Sequence, residues 1–151
     1  MKKRLLSALL ALALVFVLLP TTALAETTTT PEKSTVEVAS TKLFENTYYL
    51  IESDNKTLTT TGASATNYNI YLDATGSNYV LYVKNATINA PYNGIYGTSN
   101  IVFEGTNSIT AGTYGIYSNF TQSDLKISGT GSLKVTTHAG NSAIANSYNN
   151  P

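Results

Sequence analysis

Hydrophobic and polar residues alternate in short runs through most of the second half of the chain. Leu125 and Ile127 have polar neighbours on either side, and Leu133 and Val135 repeat this arrangement. The runs are bounded by Gly, Asn, Ser and Thr. Because successive side chains of a strand point to opposite faces, alternation with a period of two predicts short β-strands and argues against helices.

A sequence repeat accompanies this alternation. The triplet Gly-Ile-Tyr at residues 94–96 returns at residues 115–117, after 21 positions. The preceding Ile88 and Ile109 each stand seven residues before the isoleucine of their triplet. Residues 141–144 are interpreted as a third, degenerate copy. The internal spacing of the repeat therefore recurs together with its letters.

The segments before each triplet also resemble one another. Residues 101–109 are echoed by residues 125–133, which places the third copy 24 positions after the second. Residues 79–88 form an earlier version, in which the inward face of Val80 to Val83 stays ambiguous.

Repeat units of about 20 to 25 residues built from short strands predict a solenoid. Each unit stacks on the next at the ordinary strand spacing of about 4.8 Å and buries alternate side chains. The predicted fold class is therefore all-β, a parallel β-helix with coils of about 21–25 residues. An antiparallel β-sandwich is the alternative, although it does not explain why Gly-Ile-Tyr returns at a fixed register.

The N-terminus has the pattern of a secretory signal peptide, residues 1–25. Three cations precede the apolar run 5–19, and Ala23-Leu24-Ala25 supplies the small residues that a signal peptidase accepts. Cleavage between Ala25 and Glu26 is expected. An uncleaved membrane anchor is the alternative, but it needs about 18 or more apolar residues. No second apolar stretch follows, so we expect an exported bacterial protein without membrane insertion after cleavage.

The remaining chain divides into three segments. Residues 26–41 are Thr-rich and predict an extended linker, with an edge strand at Val36 to Ala39 as the alternative. Residues 42–66 predict N-terminal capping strands or a hairpin. Residues 67–151 hold the coils. We expect this β-helix to be incomplete at its C-terminus, because solenoids normally end in a cap and none follows the last strand.

Composition excludes several kinds of site. The chain has 12% charged residues, no Cys and the single His138, which argues against disulfides, thiolate zinc sites and His-cluster metal sites. Thr, Ser and Asn together number 53 residues, which favours strands and surface hydrogen bonding. Without residues 1–25, six Lys face nine acids and no Arg remains. A polybasic nucleic-acid binder is excluded.

The candidate binding site is a set of tyrosines. If Ile95 and Ile116 point inward, Tyr96 and Tyr117 point to solvent, one above the other. Their rings suit the apolar face of a sugar while the hydroxyls bond its rim. Tyr92, Asn93 and Tyr114 extend this candidate surface. The alternative is that stacked tyrosines only stabilise successive coils, and both roles are compatible.

Catalytic residues are not indicated. Between residues 67 and 151 the acids are Asp73, Glu104 and Asp124, which lie on different predicted coils. Glycoside hydrolysis needs two carboxylates about 5 to 10 Å apart, and nothing in the sequence indicates such a pair. His138 lies where the last repeat is about four residues longer, and without a partner it is interpreted as a solvated loop residue. No metal ligands are assigned.

The Gly-x-Gly-Ser-Leu turn at residues 129–133 and the Gly-Ile-Tyr strands, in a Thr/Asn-rich exported chain, resemble a clostridial family of secreted carbohydrate-binding right-handed β-helices. That family is similar in shape to pectate lyases. The similarity covers residues 67–146. It implies a right-handed helix, binding to cellulose or acidic pectin-like chains, sometimes with calcium, and no confirmed catalysis. The catalytic base of pectate lyases is usually an arginine, which this chain lacks after cleavage.

The expected function is therefore non-catalytic binding of a polysaccharide or cell-wall glycan, with no cofactor beyond the calcium that the resemblance implies. One alternative is a structural or adhesin repeat of a bacterial cell-surface protein. A polysaccharide lyase or hydrolase is the remaining alternative.

Overall fold

The computed structural model describes residues 35–76, 78–119 and 124–147, all within the unit Lys33–Pro151. Across these ranges the chain forms fourteen strands and no helix, which confirms the all-β class. It follows that no helix in this part of the chain is long and apolar enough to span a membrane. The predicted signal peptide and its cleavage site at Ala25 and Glu26 lie outside the described residues.

The strands of the repeat region come in three consecutive triplets. The first triplet is β6 (Val80–Lys84), β7 (Thr87–Ala90) and β8 (Ile95–Tyr96); the second is β9 (Asn100–Glu104), β10 (Thr106–Ala111) and β11 (Ile116–Ser118); the third is β12 (Lys126–Gly129), β13 (Ser132–Thr137) and β14 (Ile144–Asn146). Equivalent strands of successive triplets pair in parallel, giving the rows β6-β9-β12, β7-β10-β13 and β8-β11-β14.

The register of the first two triplets follows the sequence repeat. Ile95 pairs with Ile116 and Ile88 with Ile109, which are offsets of 21 residues. The degenerate third copy is confirmed as well, because Ile144 pairs with Ile116.

The third triplet is offset further than the sequence predicts. Ile101 pairs with Ile127, an offset of 26 residues, so the alignment of Ile101 with Leu125 at 24 residues is wrong. Both alignments match glycine to turn positions, but the backbone decides between them. Gly131 donates its amide to the carbonyl of Phe103 at 2.9 Å, which places Gly131, and not Gly129, beside Gly105.

Five N-terminal strands pair antiparallel and complete the sheets. They are β1 (Glu37–Val38), β2 (Thr41–Lys42), β3 (Thr47–Ile51), β4 (Leu58–Thr59) and β5 (Ile70–Asp73). The three sheets run β14-β11-β8-β1-β2, β13-β10-β7 and β12-β9-β6-β5-β3-β4, and none of them is closed. Two of the sheets are therefore mixed, with parallel pairs in the repeat region and antiparallel pairs before it.

These N-terminal strands cover the free edges of the first triplet. β5 pairs with β6 and β1 pairs with β8. The third edge is met by a turn, since the amide of Asn89 in β7 donates to the carbonyl of Asn55 at 2.6 Å. Unpaired strand edges invite pairing with other chains, so this cover protects the first triplet.

β1 also corrects the expected linker. Val36 is 2% exposed and Val38 is fully buried, so residues 36–38 belong to the folded part, as the edge-strand alternative has it. The expected linker therefore ends before Val36.

The core lies between the three rows. Inward positions alternate with outward ones, so that Leu81 and Val83 of β6 are fully buried while Val80 and Tyr82 are half-buried. The core continues through Ile88, Ile95, Ile101, Ile109 and Ile116, each at most 1% exposed. Burial decreases in the third triplet, where Ile127 is 41% and Ile144 is 46% exposed.

Glycine in the repeated triplet is required by space. A Cβ on Gly94 would overlap the Ile109 side chain and lie 2.6 Å from the carbonyl of Gly115. A Cβ on Gly115 would likewise overlap Val135 and lie 2.6 Å from the carbonyl of Ala143. The Gly-Ile-Tyr repeat therefore records a close approach of successive strands.

Candidate functional site

The tyrosines selected from the sequence lie on the outer side of the row β8-β11-β14. Ile95 and Ile116 are fully buried, so Tyr96 and Tyr117, which pair in register, face outward and are half-buried. Their ring centroids are 5.7 Å apart with the planes inclined by 41°. The spacing exceeds the inter-strand distance because the rings tilt.

Tyr114 joins this group and Tyr92 does not. The Tyr114 ring stacks on Tyr117 with centroids 5.0 Å apart and planes inclined by 25°. Tyr92 is 67% exposed and makes no ring contact within the described part of the chain. We call Tyr96, Tyr114 and Tyr117 the repeat tyrosines. They form one aromatic surface whose rings contact one another.

Two asparagines border the repeat tyrosines. Asn119 donates from Nδ2 to the Tyr96 hydroxyl at 2.9 Å, which holds that phenol in place. Asn93, proposed from sequence as a surface contact, has its Oδ1 buried without a partner among the described residues. The structure thus brings Tyr96, Tyr114 and Tyr117 together, leaves Tyr92 apart and buries the Asn93 oxygen.

A second aromatic group was missed by the sequence analysis. Tyr48 of β3, Tyr71 of β5 and Tyr82 of β6 occupy paired positions across three adjacent strands. Tyr48 and Tyr71 stack with centroids 4.1 Å apart and planes inclined by 14°, and Tyr71 lies 5.9 Å from Tyr82. Tyr68, in the segment before β5, is tilted 54° against Tyr48 at 5.3 Å.

These four residues, the sheet tyrosines, line a pocket of about 200 Å³ together with Ala65 and Asp73. The alternation of tyrosine with buried residues in β5 and β6 was a usable signal that Tyr71 and Tyr82 face outward. Their meeting with Tyr48 depends on antiparallel pairing, which the alternation does not specify.

Charged groups surround the sheet tyrosines. The Lys84 Nζ lies 3.3 Å from Glu104 Oε2 and 5.6 Å from the centroid of the Tyr68 ring. Partial burial, together with the charge of Glu104, raises the pKa of Tyr68. Partial burial also raises the pKa of Tyr71, with Tyr48 and Asp73 adding to the effect. Both phenols are therefore protonated at neutral pH and able to donate hydrogen bonds.

Asp73 is an ionised carboxylate at this pocket. Its Oδ1 accepts hydrogen bonds from the Thr75 amide at 2.9 Å and the Thr75 hydroxyl at 2.7 Å. These bonds lower the pKa of Asp73. A general acid of a glycosidase needs a raised pKa, so the environment of Asp73 is the opposite of what that chemistry requires.

A further pocket, of about 270 Å³, lies around Leu43, Leu72 and Tyr79. The Tyr79 hydroxyl donates to Glu45 Oε1 at 2.5 Å. Phe44, which also lines the pocket, is 70% exposed.

The remaining candidate groups stand apart from these aromatic surfaces. His138 is exposed, with its Nδ1 3.2 Å from the carbonyl oxygen of Gly112, which also accepts a hydrogen bond from Asn141 Nδ2 at 3.0 Å. The longer loop of the third triplet is thereby tied to the second. Among the described residues, no group of three His, Cys, Asp or Glu side chains is placed to hold a metal ion.

Comparison with known proteins gives no relative. Scans of protein-family models, of curated proteins and of solved structures each return no match for this chain.

Proposed function

We propose that this chain is a secreted, non-catalytic polysaccharide-binding protein whose strand triplets are the coils of a right-handed parallel β-helix. The repeat tyrosines carry the binding proposal. Three phenol rings in mutual contact give an amphipathic surface that follows the stacking direction of the coils. A polysaccharide matches this shape because it presents an apolar ring face and a hydroxyl rim at each sugar.

The pairing pattern supports the β-helix. Three rows of parallel strands, each holding one strand from every triplet, are what stacked coils require. The N-terminal antiparallel strands would act as a cap on the first coil.

The described acids favour binding over catalysis. Glu104 is paired with Lys84, and Asp73 is held ionised by Thr75. Neither carboxylate has the environment of a general acid. Secretion rests on the N-terminal sequence pattern alone.

A structural or adhesin repeat is the second candidate. It is favoured by the ring contacts between Tyr96, Tyr114 and Tyr117, which stabilise adjacent coils whether or not a ligand binds. In this role the tyrosines would matter for stability and not for retention on a glycan.

A pull-down separates the two candidates. The full chain is incubated with insoluble cellulose, pectin and xylan, with and without calcium. We expect retention on at least one glycan and a loss of about tenfold in affinity for Tyr96→Ala/Tyr117→Ala, since two ring contacts are each worth about 0.5–1.5 kcal/mol. Phe44→Ala, which removes another exposed aromatic ring, is the control and should be retained.

Circular dichroism must show that the double variant is folded. No retention of the wild-type chain on any glycan contradicts polysaccharide binding and favours the structural repeat. Release of unsaturated or reducing sugar ends from pectin or cellulose would contradict the non-catalytic assignment.

A further inference from the structure

We propose that the pocket over β3, β5 and β6 binds one pyranose unit of a neutral glycan. This inference rests on the proposed polysaccharide-binding function and adds a second site and a class of sugar. The pocket is lined by the sheet tyrosines Tyr48, Tyr68, Tyr71 and Tyr82 with Ala65 and Asp73.

The shape of the pocket comes from a loop folded over a sheet. Tyr48, Tyr71 and Tyr82 stand on three adjacent strands, while Ala65 and Tyr68 belong to the segment between β4 and β5. The resulting volume of about 200 Å³ is below the roughly 300–1,000 Å³ of pockets for drug-sized ligands. It suits a single sugar ring better than a larger molecule.

The lining suits a ligand with one apolar face and a polar rim. Tyr48 and Tyr71 cover each other at 4.1 Å, so the tilted rings of Tyr68 and Tyr82 supply the remaining aromatic surface. Protonated phenols donate hydrogen bonds, and the Asp73 carboxylate accepts them. A pyranose presents C–H groups on one face and hydroxyls that both donate and accept around its rim.

The charges select against acidic sugars. Asp73 remains ionised, and its Oδ2 has no partner among the described residues, whereas Oδ1 is held by Thr75. The nearby cation Lys84 is already paired with Glu104 at 3.3 Å. A uronate would bring its carboxylate next to Asp73 without a free cation to offset the repulsion, which is a source of specificity.

The first experiment observes the pocket directly. The full chain is labelled with ¹³C-tyrosine, the ring signals are assigned with single Tyr→Phe variants, and cellobiose or digalacturonate is added to concentrations on the order of 10 mM. We expect cellobiose to shift the signals of Tyr68 and Tyr82, and digalacturonate to leave them unchanged. If neither signal moves with cellobiose, the inference is overturned, whatever the polysaccharide pull-down shows.

Two variants test the mechanism. Ala65→Leu fills the pocket from an exposed loop position and should abolish the cellobiose shifts. Thr61→Leu, at another exposed position of the same loop that does not line the pocket, should preserve them. Shifts that persist in Ala65→Leu place the sugar elsewhere and overturn the inference.

Asp73→Asn tests the selection for neutral sugars. The amide oxygen can still accept the Thr75 bonds, but the negative charge is gone. We expect the preference for cellobiose over digalacturonate to fall at least about tenfold. An unchanged preference overturns the role of Asp73.

The two proposals fail differently. Loss of pull-down retention in Tyr96→Ala/Tyr117→Ala, with Ala65→Leu binding normally and no tyrosine shifts, leaves the proposed function standing and overturns the pocket. Cellobiose shifts at Tyr68 and Tyr82 without retention on any insoluble glycan support the pocket and contradict polysaccharide binding.

Discussion

The buried side chain of Asn107 accepts, through Oδ1, a hydrogen bond of 3.0 Å from the backbone amide of Ala86. The same side chain donates from Nδ2 to the carbonyls of Glu104 at 3.0 Å and Ser132 at 3.2 Å. Asn107 is 2% exposed, so these bonds replace water for backbone groups at the start of three stacked strands. One side chain thus links all three triplets.

We expect Asn107→Leu to destabilise the fold by at least about 2 kcal/mol, because the substitution keeps the volume but leaves buried amide and carbonyl groups unpaired. Urea denaturation followed by circular dichroism measures the change. Thr110→Ala, at an exposed position of the same strand, is the control and should cost less than about 0.5 kcal/mol. Equal stability of Asn107→Leu and wild type would contradict the bridging role.

Gly115→Ala should destabilise the fold by about 1–3 kcal/mol. The added methyl group would overlap Val135 and crowd the carbonyl of Ala143, which is backbone and cannot move alone. Gly76→Ala is the matched control, since its nearest atom would lie 3.8 Å away. Thermal melting of both variants checks the difference, and a Gly115→Ala melt like that of the control would show that the rows do not approach as closely as described.

Replacing the paired Ile101 and Ile127 by alanine should have unequal effects. Ile101 is 1% exposed and Ile127 is 41% exposed. We expect Ile101→Ala to cost about 2–5 kcal/mol and Ile127→Ala under about 1 kcal/mol in the free energy of unfolding. A large loss for Ile127→Ala would mean that its side chain is covered in solution.

Stability should fall between about pH 10 and pH 12 in a way that depends on Tyr79. Burial and the hydrogen bond to Glu45 raise the pKa of Tyr79 to about 12 from 10.0. In that window the unfolded chain loses the phenolic proton while the folded chain keeps it, so rising pH favours unfolding.

Tyr79→Phe removes this phenol and should make the decline with pH shallower in urea denaturation. Tyr68 and Tyr71 also have raised pKa values and remain in the variant, so the comparison isolates Tyr79. Parallel pH profiles for Tyr79→Phe and wild type would rule out this linkage.

The turn that covers β7 should be acid-sensitive. Asp54 accepts hydrogen bonds from the Thr57 hydroxyl at 2.6 Å and from the amides of Thr57 and Lys56 at 2.8 Å, which lower its pKa to about 2. Its contribution is present above the ordinary pKa of 3.8 and is lost as pH falls toward 2.

We therefore expect Asp54→Asn to unfold at lower temperature than wild type at neutral pH. The gap should close as the pH is lowered from 4 to about 2. Glu52→Gln, at an exposed acid two residues earlier, serves as the control. A gap that does not change with pH would show that the carboxylate charge is not what stabilises the turn.

The sequence by itself determined the class of structure and the first two rungs of the repeat. Alternation decides which side chains face the core, and the returning Gly-Ile-Tyr fixes how Ile95 meets Ile116 and Tyr96 meets Tyr117. These are local properties of a strand and of its repeat, so no knowledge of distant contacts is needed.

Only the tertiary structure decided the rest, because hydrogen bonding between distant strands is not written in any local pattern. It set the 26-residue offset of Ile127 through the amide of Gly131, and it turned Asn107 into the core. It also brought Tyr48 beside Tyr71 through antiparallel pairing across some twenty residues of intervening chain. The repeat tyrosines could be found from sequence since one period relates them, whereas the sheet tyrosines share no period and meet only where the strands pair.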